Sequence, residues 1–268
     1  MNERSGKGVR PTMTKLPQLV RLSSKPLFFL AIFSLWQASG CTASRQWSSM
    51  TTAPEQAWAP VSLSPMSAEL EFDAIVDGQR LKLDGVWVSQ GPDRFRLELR
   101  APTGGVIFVV ATNGNEITCY DARAQRFFFG EASPKSFDLL LPVAPLSLEA
   151  PEWLALLLGA LIPPSDALYD QADDGSLRAR FLQGHNEIRA IFDSEAYLER
   201  IRILGDEGIV EVTYGKRDSK GRSLETIIDG LDGTYRMRMR LRDLRETDSF
   251  PDKVFKIREP VGIEKIFL

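Results

Sequence analysis

The sequence predicts an all-β domain with a helical insert: about eleven antiparallel strands in one sheet with a single apolar face. Three observations lead there. From Ser67 onward, short segments alternate apolar and polar residues with a period of two. Pairs such as Asp77-Gly78 and Asn113-Gly114 separate these segments and suit hairpin turns. One stretch, residues 132–164, breaks the alternation and has helical character instead. No βαβ rhythm occurs, which excludes a parallel, doubly wound sheet.

Taken in order, Leu70, Phe72, Ala74 and Val76 alternate ahead of the Asp77-Gly78 turn. Leu81-Lys82-Leu83 and Val86-Trp87-Val88 follow, with Gly85 between them as the expected site of a bulge. Phe95, Leu97 and Leu99 then alternate with charged residues from Arg94 to Arg100. Gly104-Gly105 turns into 106–112, Asn113-Gly114 into 116–121, and residues 124–129 close the first set. The second half repeats the habit with Leu177, Ala179 and Phe181, then Ile188, Ala190 and Phe192, then Ile201 and Ile203. Val210, Val212 and Tyr214 come after Gly208, residues 224–229 form another strand, and Tyr235, Met237, Met239 and Leu241 alternate with four arginines.

Within the insert, residues 136–141 predict a short helical turn and residues 151–162 a helix. Pro151 suits the first helical position, and Pro163-Pro164 stops the run. At about 1.5 Å per residue this helix reaches only roughly 18 Å, too short to span a bilayer. It is apolar on nearly every side, so it must be buried or lie over an apolar surface.

The first forty residues have the three parts of an export signal. Arg4, Lys7, Arg10, Lys15, Arg21 and Lys25 face one acid, Glu3. An apolar run extends from Leu27 to Trp36, about half the length of a transmembrane helix. Ala38-Ser39-Gly40-Cys41 then resembles the lipobox of bacterial lipoproteins, with Ala38 where leucine is common. That resemblance implies cleavage before Cys41 and a lipid on its sulfur; an ordinary secretory signal would account for everything except the placement of Cys41. Met13 is a second candidate start. Thr42, in place of the aspartate that usually retains such proteins at the inner membrane, implies outer-membrane sorting on the periplasmic face. Residues 41–62 are small, polar and Pro-containing and predict a flexible tether, leaving 63–268 as the β domain.

Charge and composition exclude several functions. The remainder after Cys41 carries 27 Lys+Arg against 35 Asp+Glu, a net charge of −8. That opposes nonspecific binding to nucleic acid. His185 is the only histidine and lies in the turn Gly184-His185-Asn186, so a Ser–His triad or a multi-histidine metal site is hard to build. No phosphate-cradling loop or other cofactor motif is present. Asp173-Asp174 beside Gly175 reads as a solvated loop rather than an acid–base pair. The chain is not expected to be an enzyme. Cys119, in the alternating run Ile117-Thr118-Cys119-Tyr120, is expected to pack in the core as an unreactive thiol. Arg236, Arg238, Arg240 and Arg242 share one strand face. They suit lipid phosphate or an acidic partner, but a solvated face paired with Glu225 and Asp229 is the preferred reading. Met237 and Met239 lie on the opposite face, where methionine fits either core or an adaptable binding surface.

Over residues 67–258 the chain resembles the LolA/LolB lipoprotein-localisation family, and within it the outer-membrane receptor, LolB. The stretch from Asp93 to Gly104 looks like the receptor's strand ending in a protruding Pro-x-Gly loop; Leu141-Pro142-Val143 and the run from Trp153 to Pro163 look like its helical segment. The C-terminal strand and Phe255-Lys256-Ile257 fit its closing strands. The resemblance implies a half-open, strongly curved antiparallel β-barrel capped by short helices, with an apolar cavity for the acyl chains of lipids or lipoprotein clients. Phe95, Leu97, Leu99, Phe108, Val110, Leu177, Phe181, Ile188, Phe192, Ile203, Val212, Tyr214, Met237, Met239 and Leu241 are then expected to face that cavity, and Trp153, Leu156 and Leu157 to cover it as a lid. Pro102, Thr103 and Gly104 would be the membrane-facing loop, with Thr103 where the receptor has an exposed leucine. A different class of function also fits: a structural or assembly module of the envelope that holds a protein partner, with the lipid only localising it.

Overall fold

A computed structural model describes residues 61–268 apart from 77, 141–145, 172–174, 207 and 234. The expectations for the signal, Cys41, nearly all of the tether, Leu141-Pro142-Val143 and Asp173-Asp174 fall outside the described residues. Among the described residues, fourteen strands form a single open sheet. The first set is β1 (Met66–Val76), β2 (Gln79–Gln90), β3 (Arg94–Arg100), β4 (Val106–Asn113), β5 (Glu116–Asp121) and β6 (Arg126–Glu131). Helices α1 (Pro134–Leu140) and α2 (Ala150–Leu158) follow. The second set is β7 (Leu168–Gln171), β8 (Leu177–Gln183), β9 (Asn186–Phe192), β10 (Leu198–Gly205), β11 (Gly208–Tyr214), β12 (Glu225–Gly230), β13 (Tyr235–Glu246) and β14 (Glu264–Phe267).

Two meanders meet where β1 pairs with β13, so the order runs β14-β6-β5-β4-β3-β2-β1-β13-β12-β11-β10-β9-β8-β7. Neighbours are antiparallel except β14, which joins β6 in parallel. The edges β14 and β7 do not meet, so the barrel stays open. The strand count exceeds the expected eleven chiefly because β7 and β14 are four-residue edge strands, too short to show an alternating pattern. Residues from both arms, such as Cys119 of β5 and Tyr169 of β7, belong to one continuous core, so the sheet wraps around its apolar face.

Local chemistry moves several boundaries. Strand β6 begins at Arg126, not at residue 124, because the Asp121 carboxylate accepts the backbone N–H groups of Arg123 (2.9 Å) and Ala124 (3.0 Å) and folds 122–125 into a turn. Gly85 makes no bulge: β1 and β2 pair without a register shift from Met66↔Ser89 to Val76↔Gln79. Glycine is needed there for a different reason, since a Cβ would collide with the carbonyl oxygen of Glu98 on β3. The Phe255 region is not a strand. After Pro251 the chain makes a 3-10 turn at Asp252–Phe255, and Phe255 packs under the Arg94 guanidinium, 4.4 Å from its ring centroid.

Helix α2 starts one residue earlier and stops four residues sooner than expected. Gly159 adopts a left-handed conformation (φ 68°), and Ala160 N–H bonds back to the Ala155 carbonyl at 2.8 Å. This is the Schellman closure, which ends the helix before Pro163 is reached. At the start, the Glu152 carboxylate accepts the Glu149 backbone N–H at 2.8 Å. Between the helices, Asp138 accepts from the backbone N–H groups of Leu146 and Ser147 at 3.0 and 3.1 Å.

On the outer face, β13's arginines are bracketed by acids from both neighbours. Arg236 meets Asp229 (3.4 Å), Arg238 and Arg240 share Glu225, and Arg242 pairs with Glu71 (2.6 Å). The paired, solvated reading of this row holds, with Glu71 of β1 as an additional partner. Where the chain enters β1, a tighter network forms. The buried Arg222 side chain bridges Asp218 (2.6 Å) and Glu246 (2.8 Å), while Ser64 Oγ and Lys220 Nζ donate to the same Glu246.

Two outcomes follow. Gly85→Ala is expected to destabilise the domain by roughly 2 kcal/mol or more, because β2 and β3 must separate to admit a methyl group; urea unfolding measures it, and a change under ~0.5 kcal/mol would contradict the close approach. Glu246 is held down to about 2, above all by Lys220, with Ser64 and Arg222 adding and desolvation opposing. A depressed carboxylate contributes stability that is complete above its ordinary value of 4.5 and is lost as pH falls through 2. Glu246→Gln should therefore lower the unfolding midpoint at pH 7, with the gap from the natural chain closing as the pH approaches 2.

Candidate functional site

The inner face of the sheet is covered unequally. Over β11 and β12 it is closed by the end of α2, whose last carbonyls are taken up by these strands and the loop between them. Tyr214 O–H donates to Leu156 O (2.7 Å), Thr226 O–H to Leu157 O (2.8 Å) and Ser223 N–H to Leu158 O (2.9 Å). A helix end otherwise leaves these acceptors unpaired. Tyr214 is buried, which pushes its phenol well above the ordinary range and keeps it a donor.

Over the other arm the cover is incomplete, and a cavity of about 290 Å³ remains. Its walls are Phe72 of β1, Leu81, Leu83 and Trp87 of β2, and Leu97 and Leu99 of β3. Ile107 and Phe108 of β4 and Met237 and Met239 of β13 complete them. Leu140 of α1 and Trp153 and Leu157 of α2 form the roof. Leu81, Leu83, Ile107, Phe108 and Met237 are only partly buried, so apolar surface around the cavity is left in contact with solvent. Trp87, fully buried, is fixed from behind: it stacks on Phe95 (centroids 5.5 Å, 7° between planes), and Phe95 leans on Phe137 of α1 at 6.0 Å. The polar groups of the lining are Asp121, the last residue of β5, and Arg123, from the turn that follows it.

Of the residues expected to face a cavity, Leu97, Leu99, Phe108, Met237 and Met239 line this one, together with Trp153 and Leu157. Phe95 lies behind Trp87. Val110 and Leu241 are buried without lining it, as are Phe181, Ile188, Phe192, Ile203, Val212 and Tyr214 in the opposite arm; Leu177 of that arm is half-buried, and Leu156 is buried in α2 itself. The alternation that marks an inward residue is the same in both arms, so it does not distinguish filled from unfilled space. Phe72, Leu81, Leu83, Trp87, Ile107 and Leu140 were not singled out; for the first four, inward alternation was the available signal. As for the expected lid, freeing α2 would strand the carbonyls of Leu157 and Leu158, each at about 1–3 kcal/mol if it stayed buried, while Leu156 O would keep the Gly159 N–H.

The loop Pro102-Thr103-Gly104 is exposed and held by a bond from Gly104 N–H to Ala101 O at 2.8 Å. His185 is exposed in its turn. Cys119 is completely buried, and burial, with Asp121 adding, pushes its thiol up to about 12. Peptide mapping after iodoacetamide treatment at pH 8 should find Cys119 unmodified in the folded chain and modified in urea; rapid labelling of the native state would mean that β4 and β5 open readily.

No family model matches the chain, and no curated protein matches it. Among solved structures, a DUF1329 family protein from Desulfovibrio piger is similar at 11% identity, over 73% of this chain and 90% of its own, with a TM-score of 0.51. That likeness shows a shared fold. A LolA superfamily protein from Nitrosomonas europaea matches at 10% identity over 75% of this chain and 93% of its own, with a TM-score of 0.48. A protein described as a putative outer membrane lipoprotein-sorting protein domain, from Vibrio parahaemolyticus, matches at 8% identity over 73% and 91%, with a TM-score of 0.47.

Proposed function

We propose that this chain is a lipoprotein, anchored through lipid on Cys41, whose domain holds acyl chains in the cavity between α2 and β1–β4 and serves lipoprotein or lipid trafficking at the outer membrane. The observation that carries this reading is the cavity: about 290 Å³, walled by aliphatic, aromatic and methionine side chains, several of them left partly in water. An acyl chain gains about 0.8 kcal/mol per methylene removed from water, and covering those side chains adds to the gain. Such a site recognises a chain by shape and apolarity, and methionine adapts to irregular contours. It requires no catalytic group. The anchor rests on the Ala38-Ser39-Gly40-Cys41 sequence. No described helix is long and apolar enough to cross a membrane. With Thr103 at the tip of the exposed loop, delivery by an inserted leucine at that position is not part of the proposal.

One observation favours the second reading, an assembly module. Among the described residues β7 has no neighbour on its outer edge, and Leu168 there is 45% exposed. A partner strand could add to it.

The test is native mass spectrometry of the full chain, purified in a steroid-based detergent that brings no alkyl chain of its own. The natural chain should carry a bound lipid or fatty acid. Leu83→Trp, which puts an indole into the cavity from a half-buried position, should lose most of that occupancy without a fall in melting temperature. A chain that arrives empty and stays empty on addition of fatty acids would end this reading; a stoichiometric protein partner in its place would favour the second.

A further inference from the structure

Resting on the acyl-chain reading, we propose that the cavity takes one chain at a time, from a single-chain amphiphile with an anionic head, and that the head is held by Arg123. Size argues for one chain. A cavity of ~150 Å³ accommodates one benzene ring. The cavity here, about 290 Å³, is roughly twice that, room for a single alkyl chain of about a dozen carbons and not for a pair.

Charge argues for the head. The lining is apolar except at the end of β5 and the turn that follows it, where Asp121 and Arg123 border it. Asp121 keeps its negative charge, with Oδ1 turned to the backbone N–H groups of Arg123 and Ala124, so an anionic head is held only where it meets Arg123 more closely than Asp121. The Arg123 side chain is exposed and makes no ion pair among the described residues. This sets it apart from arginines at the same end of the sheet. Arg80 pairs with Asp73, Arg100 with Glu98 (2.7 Å), Arg126 with Glu264 (3.0 Å) and Arg236 with Asp229 (3.4 Å). A guanidinium presents a planar set of donors that matches the oxygens of a carboxylate or a phosphate, and it is weakly hydrated enough to work beside apolar walls. A chain lying between Phe72, Leu83 and Leu99 would bring its polar end to that turn.

The experiment is competition read by native mass spectrometry, using the full chain in steroid-based detergent. Dodecanoate and 1-dodecanoyl-lysophosphatidylglycerol are the two anionic sources; dodecanol and dodecyltrimethylammonium are the neutral and cationic controls. At least one anion should occupy the cavity tenfold or more in preference to both controls, with one ligand per protein, and the stronger of the two identifies the source. Arg123→Gln should bring the anions down to the level of dodecanol and leave dodecanol unchanged. Arg236→Gln, a charge-matched change on the outer face, should alter neither. Equal binding of all four ligands, an anion preference that survives Arg123→Gln, or two chains bound per protein would overturn this inference while the acyl-chain reading stands. No binding by any of the four would remove both.

Discussion

Among the described residues, fourteen strands curl one apolar face around a space that two helices, of seven and nine residues, must fill. The rest of the structure follows from that mismatch. An apolar sheet face has to be covered. Here the C-terminal end of α2 is tied to the second meander, only its Trp153 and Leu157 side chains reach over the first, and α1 rests on Phe95 through Phe137. Side chains at the far end of β2 and β4 are left with water on one side. In a chain under selection for stability alone, larger residues at Leu81 or Leu83 would fill the gap. A persistent apolar void is destabilising, since its lining forgoes contacts that close packing would supply.

The hydrogen bonds at the end of α2 explain which arm stays open. Leu156, Leu157 and Leu158 each place a carbonyl where β11, β12 or the loop before β12 offers a donor. Gly159 turns the chain away immediately afterwards, with Tyr214 directly against it. The helix is therefore fixed at its C-terminal end, over the second meander. Its N-terminal half reaches the first meander, and that half carries Trp153. The Trp153 indole N–H is buried without an acceptor among the described residues. Any adjustment of the roof is easiest at this end, because no backbone group of α2 has to give up a partner in the sheet.

Much of the fold was legible in the sequence because alternation reports directly on which side of a pleated strand is wet. The inward positions of β3, β9 and β13 follow from that pattern, as do the hairpin at Asn113-Gly114 and the acid-paired arginines of β13. Where the sequence misled, a local polar contact or a long-range one was decisive. The carboxylate of Asp121 shortened β6, Gly159 cut α2 short although Pro163-Pro164 looked like the stop, and Gly85 answered to the backbone of the next strand, at Glu98. The candidate site was only half legible. Leu97 and Phe192 alternate in the same way, yet one lines a cavity and the other is sealed. The difference lies in where a nine-residue helix comes to rest, and that depends on Tyr214 and Thr226, some sixty residues downstream of it.

Partial cover also bears on release. On the proposed reading, a fully enclosed site would take the whole transfer energy of its occupant, and a dozen methylenes at about 0.8 kcal/mol each come to roughly 10 kcal/mol. That corresponds to a dissociation constant in the range of tens of nanomolar, with slow exit. A site with Leu81, Leu83, Ile107 and Phe108 at a wet rim recovers less, since part of the chain stays solvated. Affinity then falls to where a bilayer, which solvates the entire chain, can compete for it. Loading and unloading become a matter of relative cover rather than of a driven opening, and a cavity that looks underfilled for stability is well matched to handing its contents on.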